Sequence, residues 1–300
     1  MRVLLTGSSG LIGTALLSCF RERGHEVVRL VREESKMSED TLLWDPEHRE
    51  LRLEEFEGFD VVINLAGENI STGRWTDEKK QKIRDSRVIN THMLAELLAR
   101  LEKPPSVFIS ASAIGFYGDR GDEELTESSS PGSGFLSDVC QKWEDAANAA
   151  KSAGIRVVNL RIGVVLSNKG GALSRMLVPF RMGLGGVIGS GRQYMSWISI
   201  DDLIGIILHV INEESLTGPV NAVSPDPQTN YHFTKILGRV LKRPTIFPLP
   251  AFVARLIMGE MADALLLSSS RVQPKVLQES GYQFLYPQLD SALKHLLGRK

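Results

Sequence analysis

The run Thr6-Gly7-Ser8-Ser9-Gly10-Leu11-Ile12-Gly13 constrains this chain more than any other segment. It follows a short apolar run, Arg2–Thr6. It opens a segment in which Leu11, Ile12, Ala15, Leu16, Cys19 and Phe20 recur at helical spacing until Gly24. A glycine-rich turn between a strand and a helix is what the pyrophosphate of a dinucleotide requires. Gly7 permits the tight turn, Gly10 lets backbone N–H groups approach the anion, and Gly13 lets helix and strand pack closely. The anion then sits over Ser9, Leu11 and Ile12, at the positive end of the helix dipole.

The chain beyond repeats this alternation. Glu26–Val31, Thr41–Trp44, Val61–Leu65, Val107–Ser110 and Ile155–Ile162 have the composition of strands. Between them, Asp77–Leu101 and Asp138–Ala153 are predicted helices, the first with an apolar stripe of Ile83, Val88, Leu94, Leu97 and Leu98. Alternation of this kind predicts an α/β fold, a Rossmann doubly wound parallel sheet covered on both faces. After Val165 the pattern changes. Glycines crowd Gly170–Gly191, a helix is expected over Asp201–Asn212 and a strand over Pro219–Val223. Residues 1–165, with a later contribution from about 201–224, are expected to form the dinucleotide domain. Residues 166–200 and 225–300 are expected to form a small C-terminal α/β substrate lobe.

Composition narrows the class. A hydrophobic fraction of 42% and a charged fraction of 24% suit a globular protein, and a net charge of −1 gives no overall field toward nucleic acid or an anionic membrane. Cys19 and Cys140 are too few for a disulfide framework and lack metal-ligand spacing, so no metal is expected. No stretch approaches the roughly 20 apolar residues that span a bilayer. The run Val3-Leu4-Leu5, broken at Gly7, is too short for a signal peptide, so a cytoplasmic protein is expected.

Cofactor preference is written after the second strand. An NAD site usually places a carboxylate there for the ribose 2′-hydroxyl. Here Val31 is followed by Arg32, whose fork suits a 2′-phosphate; Glu33 and Glu34 come next and keep NAD open. The expected cofactor is NADP(H).

Further matches extend along the chain: Asn64–Ile70, Arg74-Trp75, Asp85-Ser86-Arg87, Lys142-Trp143-Glu144, Arg161–Leu166, Gly170–Leu173, Gly183–Gly186, Gly189–Gly191, Ser196–Ile198 and Asp201–Leu203. With Thr6–Gly13 they make the chain resemble the extended short-chain dehydrogenase/reductases, in particular the atypical epimerase family branch. That resemblance implies a Rossmann domain holding NADP(H), with Leu65, Ala66, Gly67, Ser110 and Val165 along the cofactor and Arg87 reaching it from the long helix.

The resemblance also implies a serine at the end of the fifth strand and a Tyr-x-x-x-Lys helix that passes the proton while hydride moves. Ser112 stands near the serine position and Lys142 on the next helical segment, but Asp138 precedes that lysine by four residues where tyrosine is expected. Tyr117 is the local phenol that can substitute. A literal Tyr-x-x-x-Lys at Tyr231–Lys235 lies beyond the last Rossmann strand and is read as coincidence. Gly183–Gly191, Gln193, Trp197 and Asp201-Asp202 are expected either to roof a substrate cleft or to be a structural loop with an N-cap aspartate. Two functions remain open: an oxidoreductase or epimerase acting on an unidentified small molecule, or an NADP(H)-responsive binding module without turnover.

Overall fold

The computed structural model describes residues 1–45 and 52–299. Its first half runs β1 (Arg2–Thr6), α1 (Leu11–Glu22), β2 (Glu26–Val31), β3 (Thr41–Leu43), β4 (Val61–Asn64), α2 (Asp77–Ala99), β5 (Val107–Ala113), β6 (Glu124–Leu125), α3 (Phe135–Ala147) and β7 (Arg156–Ile162). There follow β8 (Val164–Ser167), α4 (Gly171–Arg181), β9 (Tyr194–Met195), β10 (Trp197–Ser199), α5 (Ile200–Asn212), β11 (Gly218–Ala222) and β12 (Gln228–Thr229). The C-terminal part carries α6 (Asn230–Leu241), α7 (Ala251–Met258), α8 (Glu260–Ala262), β13 (Arg271–Val272), α9 (Lys275–Glu279) and α10 (Leu289–Leu296).

Seven strands form one sheet in the order β11-β7-β5-β4-β1-β2-β3, every neighbouring pair parallel. The period-2 pleat splits each strand between two cores. Val3, Leu5, Val61, Ile63, Val107 and Ile109 face Leu16 and Phe20 of α1 and Ile206 and Val210 of α5. Leu4, Val62 and Phe108 point the other way, toward Leu94 and Leu98 of α2 and Ala147 of α3. Each such fully buried large side chain contributes roughly 1.5–3 kcal/mol. A third core joins α4, α6 and α10 around Trp197, with Leu177, Phe233 and Leu293.

The chain begins in the middle of the sheet, builds outward to β3, then returns to add β4 on the other side of β1. That reversal leaves a crevice at the carboxyl ends of β1 and β4, where ligands of such sheets bind.

Several expectations shift. The glycine-crowded stretch contains a true helix, α4, which buries Leu173, Leu177 and Phe180 at spacings of four and three and carries Pro179 inside it. Strand β5 runs past Ser110 to Ala113, and α3 starts at Phe135 and tightens into a 3-10 turn over Asn148–Ala153. Val88 is out of phase with Ile83, Thr91, Leu94 and Leu98, which form the buried side of α2. It lines a shallow surface hollow with Ile89, His92 and Lys142 instead.

Candidate functional site

A buried polar network fixes the two strand ends at the crevice. Thr6 Oγ1 donates to Asn64 Oδ1 at 2.7 Å and accepts the N–H groups of Leu65 and Ala66, each at 3.0 Å. Asn64 Nδ2 donates to Thr91 Oγ1 at 2.8 Å, and Trp143 Nε1 donates to the same hydroxyl at 2.9 Å. One network therefore ties β1, β4, α2 and α3 together. The motifs give Thr6 and Asn64 no role of their own and do not include Thr91. The signal is a polar residue at the end of each buried strand, and for Thr91 one on the buried side of α2, each of which must find an internal partner.

The three glycines have different reasons to be bare. Gly7 has φ +67°, and a Cβ there would lie 2.7 Å from the Leu65 carbonyl carbon and oxygen. A Cβ on Gly13 would lie 2.3 Å from Gly7 O, so the helix could not approach its own loop. Gly10 has an ordinary φ of −76°, and its Cβ would meet Gly7 O at 3.3 Å and nothing else of the protein nearby. The fold needs Gly7 and Gly13 bare; at Gly10 the space opens outward. Helix α1 starts there with no side-chain cap and no acidic residue in its first turn. Its free N–H groups and positive dipole end face a cavity of about 490 Å³.

Gly7, Ser9, Gly10, Arg32, Leu65, Ala66 and Gly67 line this cavity, together with Ser8, Val31, Glu33, Lys36 and Asn64. Its charged wall is mostly committed. Arg29 donates to Asp40 at 2.7 Å, and Arg29 and Ser38 hold that carboxyl well below the usual carboxylate range. Glu33 accepts from Lys36 at 2.6 Å, which lowers its pKa. Arg32 makes no hydrogen bond or ion pair among the described residues and lines the cavity.

The remaining expected cofactor residues lie deeper or further off. Ile12 and Val165 pack on the core between the sheet and α1. Leu11 reaches toward the start of α4, its Cδ1 only 3.4 Å from where a Gly170 Cβ would be. Ser110 is fully buried within β5 and presents nothing to the cavity. Arg87 donates to Ile83 O at 3.0 Å and lies over the Trp143 ring, 5.1 Å from its centroid. Burial lowers its pKa, no carboxylate pairs with it among the described residues, and a Cβ on Gly67 would come within 3.0 Å of its guanidinium carbon. The bare backbone at Gly67 thus makes room for Arg87 at the edge of the cleft.

The structure links Ser112 and Tyr117 only through a buried network and leaves Lys142 outside it. Ser112 Oγ donates to Glu144 Oε1 at 2.7 Å, and Glu144 is held in a two-pronged pair by Arg161 at 2.8 and 2.9 Å. Arg161 also donates to the Tyr117 hydroxyl at 2.9 Å, which donates in turn to Asn221 Oδ1 at 2.7 Å. Tyr117 is completely buried, and burial pushes its phenol up to about 12 against the pull of Arg161. It is an interior hydrogen-bonding group. Lys142 is exposed and pairs with Asp138 at 2.9 Å along α3.

The sequence as a whole settles the kinship. A profile described as the NAD dependent epimerase/dehydratase family matches residues 3–223, and a domain of unknown function, DUF1731, matches residues 249–296. The chain belongs to the NAD dependent epimerase/dehydratase family. It is 42% identical over 297 residues to an epimerase family protein of Mycobacterium leprae, covering 99% of this chain and 96% of that one. It is 37% identical over 300 residues to the human epimerase family protein SDR39U1, covering 99% of this chain and all (100%) of the relative. The crystal structure of isoform 2 of that human protein with NADPH superposes with a TM-score of 0.90 at 35% identity, covering 99% of each chain. A nucleoside-diphosphate sugar epimerase from Corynebacterium glutamicum gives a TM-score of 0.81 at 38% identity, covering 99% of this chain and 58% of the other.

For a member of this epimerase/dehydratase family, the side of α3 that meets β5 is decisive. Cys140 sits against Ser112 and Ala113, and Leu136 lies where a Gly115 side chain would be. The inward positions at four-residue spacing are therefore Leu136, Cys140 and Glu144. Asp138 and Lys142 are two residues out of register, about 200° around a helix of 3.6 residues per turn, and face solvent. Cys140 is no substitute, because burial pushes its thiol up to about 12. Lys235 of the second Tyr-x-x-x-Lys match donates to Thr245 O at 3.1 Å and Thr245 Oγ1 at 3.0 Å, holding the end of α6.

The proposed roof residues are structural. Gln193 Nε2 donates to Ile188 O and Leu266 O, at 2.9 and 3.0 Å. Trp197 is fully buried with its Nε1 on Asp226 O at 2.8 Å. The cap of α5 is Ser199, which accepts the Asp202 N–H at 3.0 Å, and the buried Asp202 carboxylate takes the N–H groups of Leu285 and Tyr286. Those groups knit the C-terminal segment to the sheet, so neither aspartate is the N-cap.

Proposed function

We propose that this chain binds NADP(H) in the cleft at the start of α1 and acts as an oxidoreductase of the epimerase-family type on a small carbonyl or sugar-nucleotide-like substrate. The observation that carries the cofactor is the unpaired Arg32 beside an uncapped, glycine-lined helix start. When bound, the dinucleotide would supply a hydride to a carbonyl carbon or accept one from the corresponding carbinol carbon. The chain's own residues do the rest. The N–H groups of the first turn of α1 hold the pyrophosphate, Arg32 takes the 2′-phosphate, and the Thr6–Asn64 network keeps the two strand ends in place. That the human relative's structure contains NADPH supports the same reading.

One outcome is specific to Arg32. NADPH is expected to bind more tightly than NADH by about 1.5–3 kcal/mol, the worth of a charge-assisted hydrogen bond. Arg32→Ala should erase that gap by weakening NADPH alone. Equal affinities in the unaltered protein, measured by calorimetric titration, would overturn the assignment.

A second reading has its own observation. The side of α3 next to Ser112 offers Leu136, Cys140 and a Glu144 carboxylate already held by Arg161, and no tyrosine. That favours a protein that binds NADP(H) and responds to it without turnover. Following NADPH absorbance with a panel of aldehydes, ketones and sugar nucleotides separates the two. Consumption that survives Lys142→Ala and Tyr117→Phe supports the oxidoreductase with a proton from water or substrate. No consumption with any compound leaves the binding protein.

A further inference from the structure

The net charge of −1 conceals a segregated one. Residues 170–200 contain three arginines and no aspartate or glutamate, and residues 227–259 contain five lysines or arginines and again no acid. All 36 acidic residues lie elsewhere. The two acid-free stretches meet in space. Leu177 and Phe180 of α4 pack on Phe233 and Leu237 of α6. The turn after α4 runs beside residues 244–249, where Gly183 faces Pro244, Leu249 N–H donates to Val187 O at 2.8 Å, and Gly189 N–H donates to Leu249 O at 2.9 Å. Residue 251 then starts α7.

The shared surface is apolar as well as basic. Val178, Met182, Ile246, Phe247, Phe252 and Leu256 are all large apolar side chains that are 54% to 73% exposed. They have the spacing of outward faces. Arg175, Val178 and Met182 share one side of α4, and Phe252, Arg255 and Leu256 share the solvent side of α7, whose Ala254 is buried. Of the cations among them, the side chains of Arg181, Lys242 and Arg243 are exposed and make no hydrogen bond or ion pair among the described residues. A contiguous exposed apolar patch on a water-soluble surface marks an interaction site. Apolar side chains beside three unpaired cations, with the one carboxylate on the α7 side, Asp263, neutralised by Arg255 at 2.9 Å, match the headgroup and acyl boundary of an anionic bilayer.

We infer that the face made by α4, the 244–249 segment and α7 docks on an anionic phospholipid surface. The apolar side chains enter the acyl boundary while Arg181, Lys242 and Arg243 meet lipid phosphates. The same two helices flank the loop that leaves the cofactor cleft. Arg175 of α4 donates to Ser71 O at 2.9 Å, and Arg74 donates to Leu256 O of α7 at 2.8 Å. Docking therefore sets the cleft's rim near the membrane, and the inference stands whether or not the cleft performs chemistry.

The test uses the full chain and vesicles of phosphatidylcholine, with and without a large fraction of phosphatidylglycerol. Co-sedimentation is expected with the anionic vesicles and not with the neutral ones, and should fall as salt rises. Each cation near such a surface is worth roughly fivefold in partition, so Arg181→Glu with Lys242→Glu and Arg243→Glu should reduce binding by at least about 100-fold. Phe252→Ser with Leu256→Ser should weaken it in high salt most. NADPH titration of both variants serves as the check on folding and should be unchanged. Equal partition onto neutral and anionic vesicles, or none onto either, overturns the inference. So does a concentration-dependent dimer, abolished by Phe252→Ser with Leu256→Ser, in a protein that ignores both vesicles.

Discussion

Gly10→Val is expected to abolish NADPH binding while leaving the protein folded, whereas Gly13→Val should unfold it. The distinction comes from where each Cβ would go. At Gly13 it would lie 2.3 Å from the Gly7 oxygen, a distance no packing tolerates, and the contact is to backbone, which cannot swing aside. At Gly10 the closest protein atom is 3.3 Å away and φ is −76°, so the chain accepts a side chain with a small adjustment. The branched valine then stands over the first turn of α1, where the pyrophosphate must come within hydrogen-bond distance. Losing two charge-assisted bonds of about 1.5–3 kcal/mol each removes at least about 100-fold in affinity. Calorimetric titration with NADPH and a thermal melt of each variant suffice. A Gly10→Val protein that binds within about tenfold of the original would show that the dinucleotide does not lie on this helix.

The fold was legible in the sequence because its signals are local and redundant. Strand β1, the glycine loop and α1 each carry their own pattern, and Val61–Asn64 is apolar enough to be recognised as buried on both faces. What escaped notice was α4. Its glycines at Gly170 and Gly171 read as loop, and Pro179 reads as a helix breaker, yet Leu173, Leu177 and Phe180 bury one side against α6. Tertiary packing overrode poor propensity there.

The cofactor cleft was legible for the same reason, since Gly7 to Gly13 act through backbone within one turn. The region expected to be catalytic was not, because its meaning depends on which side of α3 faces the sheet. A lysine four residues after an aspartate looks like a catalytic pair with one member changed. The structure turns that pair to solvent and points Leu136, Cys140 and Glu144 inward. The clue available in the sequence was amphipathicity: Val139, Cys140, Trp143, Ala146 and Ala147 define the buried side of α3, and Lys142 falls outside it. Ser112 was placed correctly near the end of β5, but its partner is 32 residues away on Glu144, a pairing no spacing rule reveals.

That pairing leads to a second large expected effect, on stability. Arg161 and Glu144 are 4% and 10% exposed at the side chain, and Arg161 stacks on Phe116 with its guanidinium carbon 3.5 Å from the ring centroid. Burial alone would lower the Arg161 pKa, but the Glu144 bonds and the neighbouring Tyr117 hydroxyl outweigh it, so the guanidinium stays charged. Glu144→Ala removes its counter-charge and strips Ser112 Oγ of its acceptor in one step. Breaking a buried pair from one side costs about 3–5 kcal/mol, because the surviving charge is stranded in a medium that cannot solvate it. Glu144→Ala should therefore lower the denaturant midpoint sharply, and Glu144→Gln, which keeps an oxygen for Ser112 and Arg161, should fall between. The double variant Glu144→Leu with Arg161→Met strands no charge and should be more stable than Glu144→Ala alone. If Glu144→Ala instead costs less than about 1 kcal/mol in urea unfolding, Arg161 finds water or another acceptor. The Ser112–Glu144–Arg161–Tyr117 network would then not be the element that locks β5, α3 and β7 together.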